Sequence, residues 1–467
     1  MDKIKTENGY VSGFVDGGIS VYRGIPYAAP PVGELRWRPP QPAASWPGTR
    51  DCSAFSNSAP QLSITGPMKP QKVDLKDFEF IQSEDCLYLH VMTPAKKATD
   101  KLPVMVWMHG GGFIFGTANE AIYNMTRLPA HGVVQVNVNM RLGPFGMCCH
   151  RLLSRESDKG VSGNYMFLDM IAALKWVQRN IAAFGGDPGN VTIFGESGGG
   201  AKVVSLLASP LAKSLFRRVI AESGSPEGIA LKDLEAVGEK FFTHLGVADA
   251  KDPLKAARAL PWKKIVETEE DMLCELSFMT RAGLWDVAID GWFMPQKPQD
   301  IFRAGKQNSV DYMLLANLGE LTTPPGAYLI PAYLGVFSGA EKTGARVRAI
   351  IFDRVPEAWR KQGCFSFHAD ELGYVFGDYD NSSGFWKHIM KIAGLAGATT
   401  EDPGLNAEDR KISELMMKMW TNYAKTGDPG IPGEVEFPVW DKTNDRFLFV
   451  RTQAEVKSGY SRVPAGL

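Results

Sequence analysis

Short runs of β-branched and large apolar residues recur along the chain, each bounded by turn-forming residues. Between them lie stretches with apolar residues at helical spacing. Residues 104–108 (Val-Met-Val-Trp-Met) and 133–138 (Val-Val-Gln-Val-Asn-Val) are two such runs and predict strands. Leu168, Ile171, Leu174, Val177 and Ile181 recur three or four apart and predict one face of a helix over 168–182, ending before Phe184-Gly-Gly-Asp-Pro188. Residues 191–194, 218–221, 312–315 and 346–352 read as later strands. Strands separated by helices predict an α/β fold with a mostly parallel central sheet flanked by helices. Residues 226–310 depart from this pattern, being helix-rich and charged with few strand runs. They predict an insertion over the sheet that forms a lid or pocket wall. Residues 61–83 lack periodicity and read as a long loop.

Composition narrows the functional classes. A chain of 467 residues could hold two or three domains, but α/β enzymes of this length often form one, and a single domain over 1–467 is expected. A hydrophobic content of 44% with 22% charged residues leaves ample core. The net charge of −1 comes without any concentrated Lys/Arg stripe, which argues against a nucleic-acid or anionic-membrane partner. No apolar run approaches the roughly 18 residues of a membrane span. The first ten residues lack the apolar core of a secretory leader, so the expected location is cytoplasmic, or secreted or periplasmic after removal of a leader. Six scattered cysteines (52, 86, 148, 149, 274, 364) and seven isolated histidines show neither a disulfide framework nor metal-ligand spacing. The adjacent Cys148 and Cys149 read as two small buried residues. No metal and no cofactor is expected.

The candidate chemistry centres on Val191-Thr-Ile-Phe-Gly195-Glu196-Ser197-Gly198-Gly199, a strand running into Gly-x-Ser-x-Gly and then into a helix-compatible run. A serine at such a corner sits on a sharp turn that exposes its hydroxyl, and only glycine fits two residues to either side. Ser197 therefore reads as a nucleophile, which needs a base, an orienting acid and donors for an oxyanion. His109-Gly110-Gly111-Gly112 follows a predicted strand and supplies backbone N–H groups without side chains in the way. The base lies late in the chain, at His368 or His388. Of the two, His368 sits in a loop-like segment and His388 in a helix-like one. The acid follows a strand between serine and base: Glu320 after residues 312–315, or a nearby aspartate such as Asp290.

The motifs together resemble the type-B carboxylesterases, the cholinesterase-like branch of the α/β-hydrolases. Tyr22-Arg-Gly-Ile-Pro-Tyr-Ala-Ala-Pro-Pro31, Leu35-Arg-Trp-Arg-Pro-Pro40, Ser83-Glu-Asp-Cys-Leu-Tyr-Leu89 and Asn139-Met-Arg-Leu-Gly143 carry the resemblance, with Phe184-Gly-Gly-Asp-Pro188 and Gly195-Glu-Ser-Gly-Gly199. His368-x-x-Glu371, Val375-Phe-Gly377 and Ala424-Lys-Thr-Gly-Asp-Pro429 continue it to the end of the chain. The resemblance implies an α/β-hydrolase fold and a Ser-His-Glu triad of Ser197, His368 and Glu320. It implies oxyanion donors at Gly111, Gly112 and Gly198, a field-shaping acid at Glu196 and a buttressing serine at Ser223. Arg36 with Glu84 and Arg141 with Asp169 match internal ion pairs.

Two positions depart from the family. Gly198 stands where alanine is usual, which keeps the donor and leaves slightly more room. Cys86 stands where the family has a disulfide cysteine, but its partner region, Ser58-Ala-Pro-Gln61, holds none. Phe113, Phe115, Trp107, Met108 and Leu142 suggest an apolar pocket. The expected activity is hydrolysis of a small-molecule carboxylic ester through an acyl-enzyme, by a monomer or homodimer. An amide, carbamate or xenobiotic ester acted on by the same site is the alternative, and a non-catalytic binding protein of the same fold is the reading from another class.

Overall fold

The computed structural model describes residues 3–62, 80–274, 284–320, 329–386 and 403–465. In chain order the strands of its main sheet are β1 (Phe14–Asp16), β2 (Ile19–Pro26), β3 (Tyr88–Thr93), β4 (Leu102–Met108), β5 (Val134–Val138) and β6 (Gly186–Glu196). They continue with β7 (Arg218–Glu222), β8 (Asp311–Asn317), β9 (Val347–Phe352), β10 (Arg446–Val450) and β11 (Ala454–Ser458). The eleven strands lie side by side in the order β11-β10-β9-β8-β7-β6-β4-β5-β3-β2-β1. Every pairing from β10 across to β5 is parallel. Antiparallel pairing is confined to the two margins. The chain thus has the α/β-hydrolase architecture, a large, mostly parallel sheet flanked by helices.

Burial explains which strands were legible. β5 and β9 are buried at every position, and strands covered on both faces are rich in β-branched and large apolar residues, although Gln135, Asn137 and Arg348 are buried among them. The marginal β1 and β11 are short and largely exposed, as sheet edges are when they resist edge-to-edge pairing. They lack the apolar run that marks the others. Side chains along each strand alternate between two cores. On β4, Val104, Val106 and Met108 join one core, and Met105 and Trp107 the other. The helix Tyr165–Asn180 covers the first face, and the helix Ala407–Thr426 covers the second with Ile412, Met416 and Trp420. The latter begins at a reciprocal cap between Asn406 and Asp409 and ends at Gly427 with φ 79°.

Between β7 and β8 lie the helices Leu231–His244, Pro253–Ala259, Trp262–Cys274 and Pro298–Ala304. Ile229–Ala230 pairs with Ala288–Ile289 in the same stretch. Most of the long loop foreseen over 61–83 lies outside the described residues, and its ends meet at a bridge between Ser58 and Gln82. Cys52, Cys86, Cys148, Cys149 and Cys364 are buried free thiols. Among the described residues no helix is long and apolar enough to cross a membrane.

Candidate active site

Ser197 stands between the end of β6 and the helix Gly198–Ala208, with φ 57° and ψ −122°. A non-glycine residue avoids that conformation unless its surroundings impose it. Here the Ser197 N–H donates to Glu222 O of β7 at 2.8 Å, while the incoming strand and outgoing helix press against the end of β4. A Cβ on Gly195 would fall 2.5 Å from Met108 O, and one on Gly199 2.0 Å from the same oxygen. The two glycines of the motif are therefore demanded by close backbone approach, and the hydroxyl is left at a partly exposed corner.

The exit turn of β8 carries Glu320, at φ 44°, and the loop after β9 carries His368. The backbone ties these segments together, with His368 N–H donating to Glu320 O at 3.2 Å and Gly319 N–H to Ser366 O at 2.7 Å. Across this join His368 Nδ1 lies 2.7 Å from Glu320 Oε2, and His368 Nε2 lies 2.7 Å from Ser197 Oγ. Glu320 is fully buried, yet the His368 side chain keeps 12% of its surface exposed. The second carboxylate oxygen, Glu320 Oε1, accepts from Ser223 Oγ at 2.7 Å and from Asn317 N–H at 2.8 Å. Asp290, the alternative acid, is engaged elsewhere. Its oxygens accept from the N–H groups of Trp292 and Met294 and from the Asn164 amide. His388 lies outside the described residues.

Carboxylates crowd the imidazole. Glu196 Oε1 is 3.3 Å from His368 Nε2, and Glu371 Oε2 accepts from Asn317 Nδ2 at 2.6 Å. Burial alone lowers His368, but Glu196, Glu320 and Glu371 together outweigh it and push the group up to about 9. Burial also raises Glu371 to about 7 and lifts Glu196 well above the ordinary carboxylate range, although His368 pulls Glu196 back.

Gly111 and Gly112 follow β4 with φ 86° and 62°, and Gly112 is exposed. A Cβ on Gly111 would lie 2.1 Å from Phe115 O, so only glycine permits this tight loop. Gly143 N–H donates to Phe113 O at 2.7 Å, and Gln61 exchanges two hydrogen bonds with the Gly116 backbone. Among the described residues, the N–H groups of Gly111, Gly112 and Gly198 donate to no other protein group. Gly198 does not leave the extra room expected of it, because the space an alanine methyl would need is filled by the Gly112 peptide, whose oxygen would lie 1.9 Å from that carbon.

The aromatic pocket needs one correction. Phe113 packs edge-on against Phe167, which stacks on Phe293. Trp107, by contrast, belongs to the opposite core with Tyr123, Phe194 and Phe376. The expected ion pairs form: both Arg36–Glu84 and Arg141–Asp169 close to 2.6 Å and are almost wholly buried. Sequence reasoning passed over Asn317, which serves Glu320, Ser223 and Glu371 at once. Its signal was its place at the end of the strand that supplies the candidate acid. Lys202 was passed over too, although it is the lone charged residue of the apolar helix after Ser197.

The sequence profile of the carboxylesterase family matches residues 1–324 and 331–464. Para-nitrobenzyl esterase of Bacillus subtilis (strain 168) is 31% identical, over 97% of this chain and 96% of its own length. Fumonisin B1 esterase of Sphingopyxis macrogoltabida is also 31% identical, over 95% of this chain and 85% of its own. The solved structure of a thermophilic PNB esterase superposes with a TM-score of 0.80 at 28% identity, over 97% of both chains. The chain belongs to the carboxylesterase family and is a carboxylic ester hydrolase of the α/β-hydrolase fold.

Proposed function

We propose that ester hydrolysis proceeds through an acyl-enzyme on Ser197, with His368 as general base and then general acid and Glu320 as the orienting acid. The observation that carries this reading is the pair of 2.7 Å contacts that His368 makes, one to Ser197 Oγ and one to Glu320 Oε2. His368 takes the hydroxyl proton through Nε2 as Ser197 Oγ attacks the substrate carbonyl. The Glu320 carboxylate fixes the tautomer with hydrogen on Nδ1 and stabilises the imidazolium that forms. The unspent N–H groups of Gly111, Gly112 and Gly198 receive the developing oxyanion, and the last of these also stands at the positive end of a helix. His368 then protonates the leaving alkoxide. Water, activated by the same imidazole, attacks the acyl carbonyl, and the acid is released with Ser197 restored. Glu196 and Ser223 support the imidazole and the acid. The helices between β7 and β8 wall the pocket in which a small-molecule ester binds.

The test is hydrolysis of p-nitrophenyl butyrate by the wild-type protein beside folded Ser197→Ala and His368→Ala. Each variant is expected to lose at least about 10³-fold in kcat, the scale of a cooperating triad. Retention of most activity by either would remove that residue from the mechanism.

A further inference from the structure

Lys202 is fully buried in the helix Gly198–Ala208, whose other residues are glycine, alanine, valine, serine and leucine. Its Nζ donates to His109 O at 2.9 Å and stands 3.5 Å from Gly110 O. Among the described residues no carboxylate pairs with it, and burial alone brings the ammonium down to about 7. A methionine would fill a similar volume without the cost of desolvating a cation. Packing therefore does not account for a lysine here.

The two carbonyls that Lys202 meets belong to the oxyanion loop. In a trans peptide the C=O and the N–H of the next residue point in opposite directions. The carbonyl of Gly110 is thus the far end of the peptide whose N–H belongs to Gly111. A cation at that oxygen draws density toward it and leaves the N–H more positive, as linked hydrogen bonds do in a low-dielectric interior. His109 grips the same oxygen, its Nδ1 lying 3.0 Å from Gly110 O. Because a carbonyl only accepts, that nitrogen carries the hydrogen, and Nε2, which has no partner among the described residues, is the bare one. Burial and the neighbouring Lys202 hold His109 far below its ordinary range. His109 is the titratable group that faces Lys202 among the described residues, and it stays neutral wherever the enzyme is assayed.

We propose that Lys202 is a positioning residue for the oxyanion site, its buried ammonium holding the carbonyl ends of the His109–Gly110 and Gly110–Gly111 peptides and strengthening the Gly111 N–H as a donor to the tetrahedral intermediate. This rests on the Ser197 reading above. It assigns catalytic weight to a side chain that never touches substrate.

The test follows kcat and KM for p-nitrophenyl butyrate from about pH 6 to pH 9 in wild type, Lys202→Met and Lys202→Arg, with Ser197→Ala alongside. Near pH 6 Lys202→Met is expected to lose about 10-fold in kcat with little change in KM, less than the loss of a whole oxyanion donor. The ratio of wild type to Lys202→Met should close toward unity above about pH 8, where Lys202 of the wild type is itself neutral. Lys202→Arg keeps its charge, so its rate relative to wild type should rise over the same range. If Lys202→Met does not fold, that second ratio reads the same titration by itself. Wild-type kcat in Lys202→Met, or a deficit in either variant that does not change with pH, overturns the proposal. Loss of activity in Ser197→Ala upholds the underlying site whichever way Lys202 behaves, and activity there refutes the Ser197 reading instead.

Discussion

Glu196 Oε1 lies 3.3 Å from His368 Nε2, the same nitrogen that faces Ser197 Oγ at 2.7 Å. The residue preceding the candidate nucleophile thus lies against the candidate base. With Glu320 and Glu371 it lifts His368 up to about 9, against burial, which lowers it. A general base must be neutral, so kcat/KM should rise with pH along a limb displaced above the ordinary histidine value of about 6.5. Glu196→Gln removes one of the charges that favour the imidazolium. The limb is expected to move to lower pH, and the plateau rate to fall about 10-fold because the charged transition state loses support. A pH–rate profile of both proteins checks this, and an unmoved limb would separate Glu196 from the titration of His368.

Ser223 Oγ donates to Glu320 Oε1 at 2.7 Å and accepts from Asn317 Nδ2 at 3.1 Å. Ser223→Ala leaves the buried carboxylate with one donor fewer, and a hydrogen bond to a charged group is worth about 1.5–3 kcal/mol. The expected outcome is a lower thermal midpoint and roughly a 10-fold drop in kcat with KM nearly constant. Calorimetry and steady-state kinetics on one preparation read both effects.

Gly198 touches the Gly112 peptide so closely that a methyl group would lie 1.9 Å from Gly112 O. Gly198→Ala should push the Gly111–Gly112 loop away from Ser197 and cost about 10–100-fold in kcat, approaching the loss of one oxyanion donor. A crystal structure of the variant would show the displacement. Full activity would mean that the loop relaxes without losing its aim.

Arg141 and Asp169 form a two-point ion pair, with Nε at 2.8 Å and Nη2 at 2.6 Å from the carboxylate oxygens, in surroundings that exclude water. Asp169→Asn strands a buried guanidinium and should destabilise the protein by about 3–5 kcal/mol. Denaturant unfolding measures this directly. A loss below about 1 kcal/mol would place the pair among those that contribute little to stability.

Features set by local sequence were the legible ones. The corner at Ser197 follows from a strand, two glycines and a helix contiguous in the chain, and the parallel strands announce themselves as short stretches rich in β-branched and large apolar residues. What joins distant segments was harder to read. His368 and Glu320 could be nominated from chain order and local context, a loop-like segment for the one and a strand's exit turn for the other, but Asp290 and His388 stayed open as alternatives. Asp290 is now accounted for by its bonds to Asn164, Trp292 and Met294. Trp107 was misjudged because pocket residues were read from composition without the period-two alternation that turns it to the opposite face from Met108. The extra room at Gly198 was misjudged because a missing methyl leaves space only if nothing else has moved in. The roles of Asn317 and Lys202 depend on atoms more than fifty residues away in the chain, and no spacing rule reaches them.

The most direct test of the acyl-enzyme account is stoichiometric reaction with a p-nitrophenyl alkylphosphonate, followed by peptide mass spectrometry and residual esterase activity. Phosphonylation of Ser197 alone, one equivalent per chain and in step with loss of hydrolysis, is the expected result. Inactivation with the label on another residue, or a fully labelled Ser197 in a protein that still hydrolyses esters, would contradict the account.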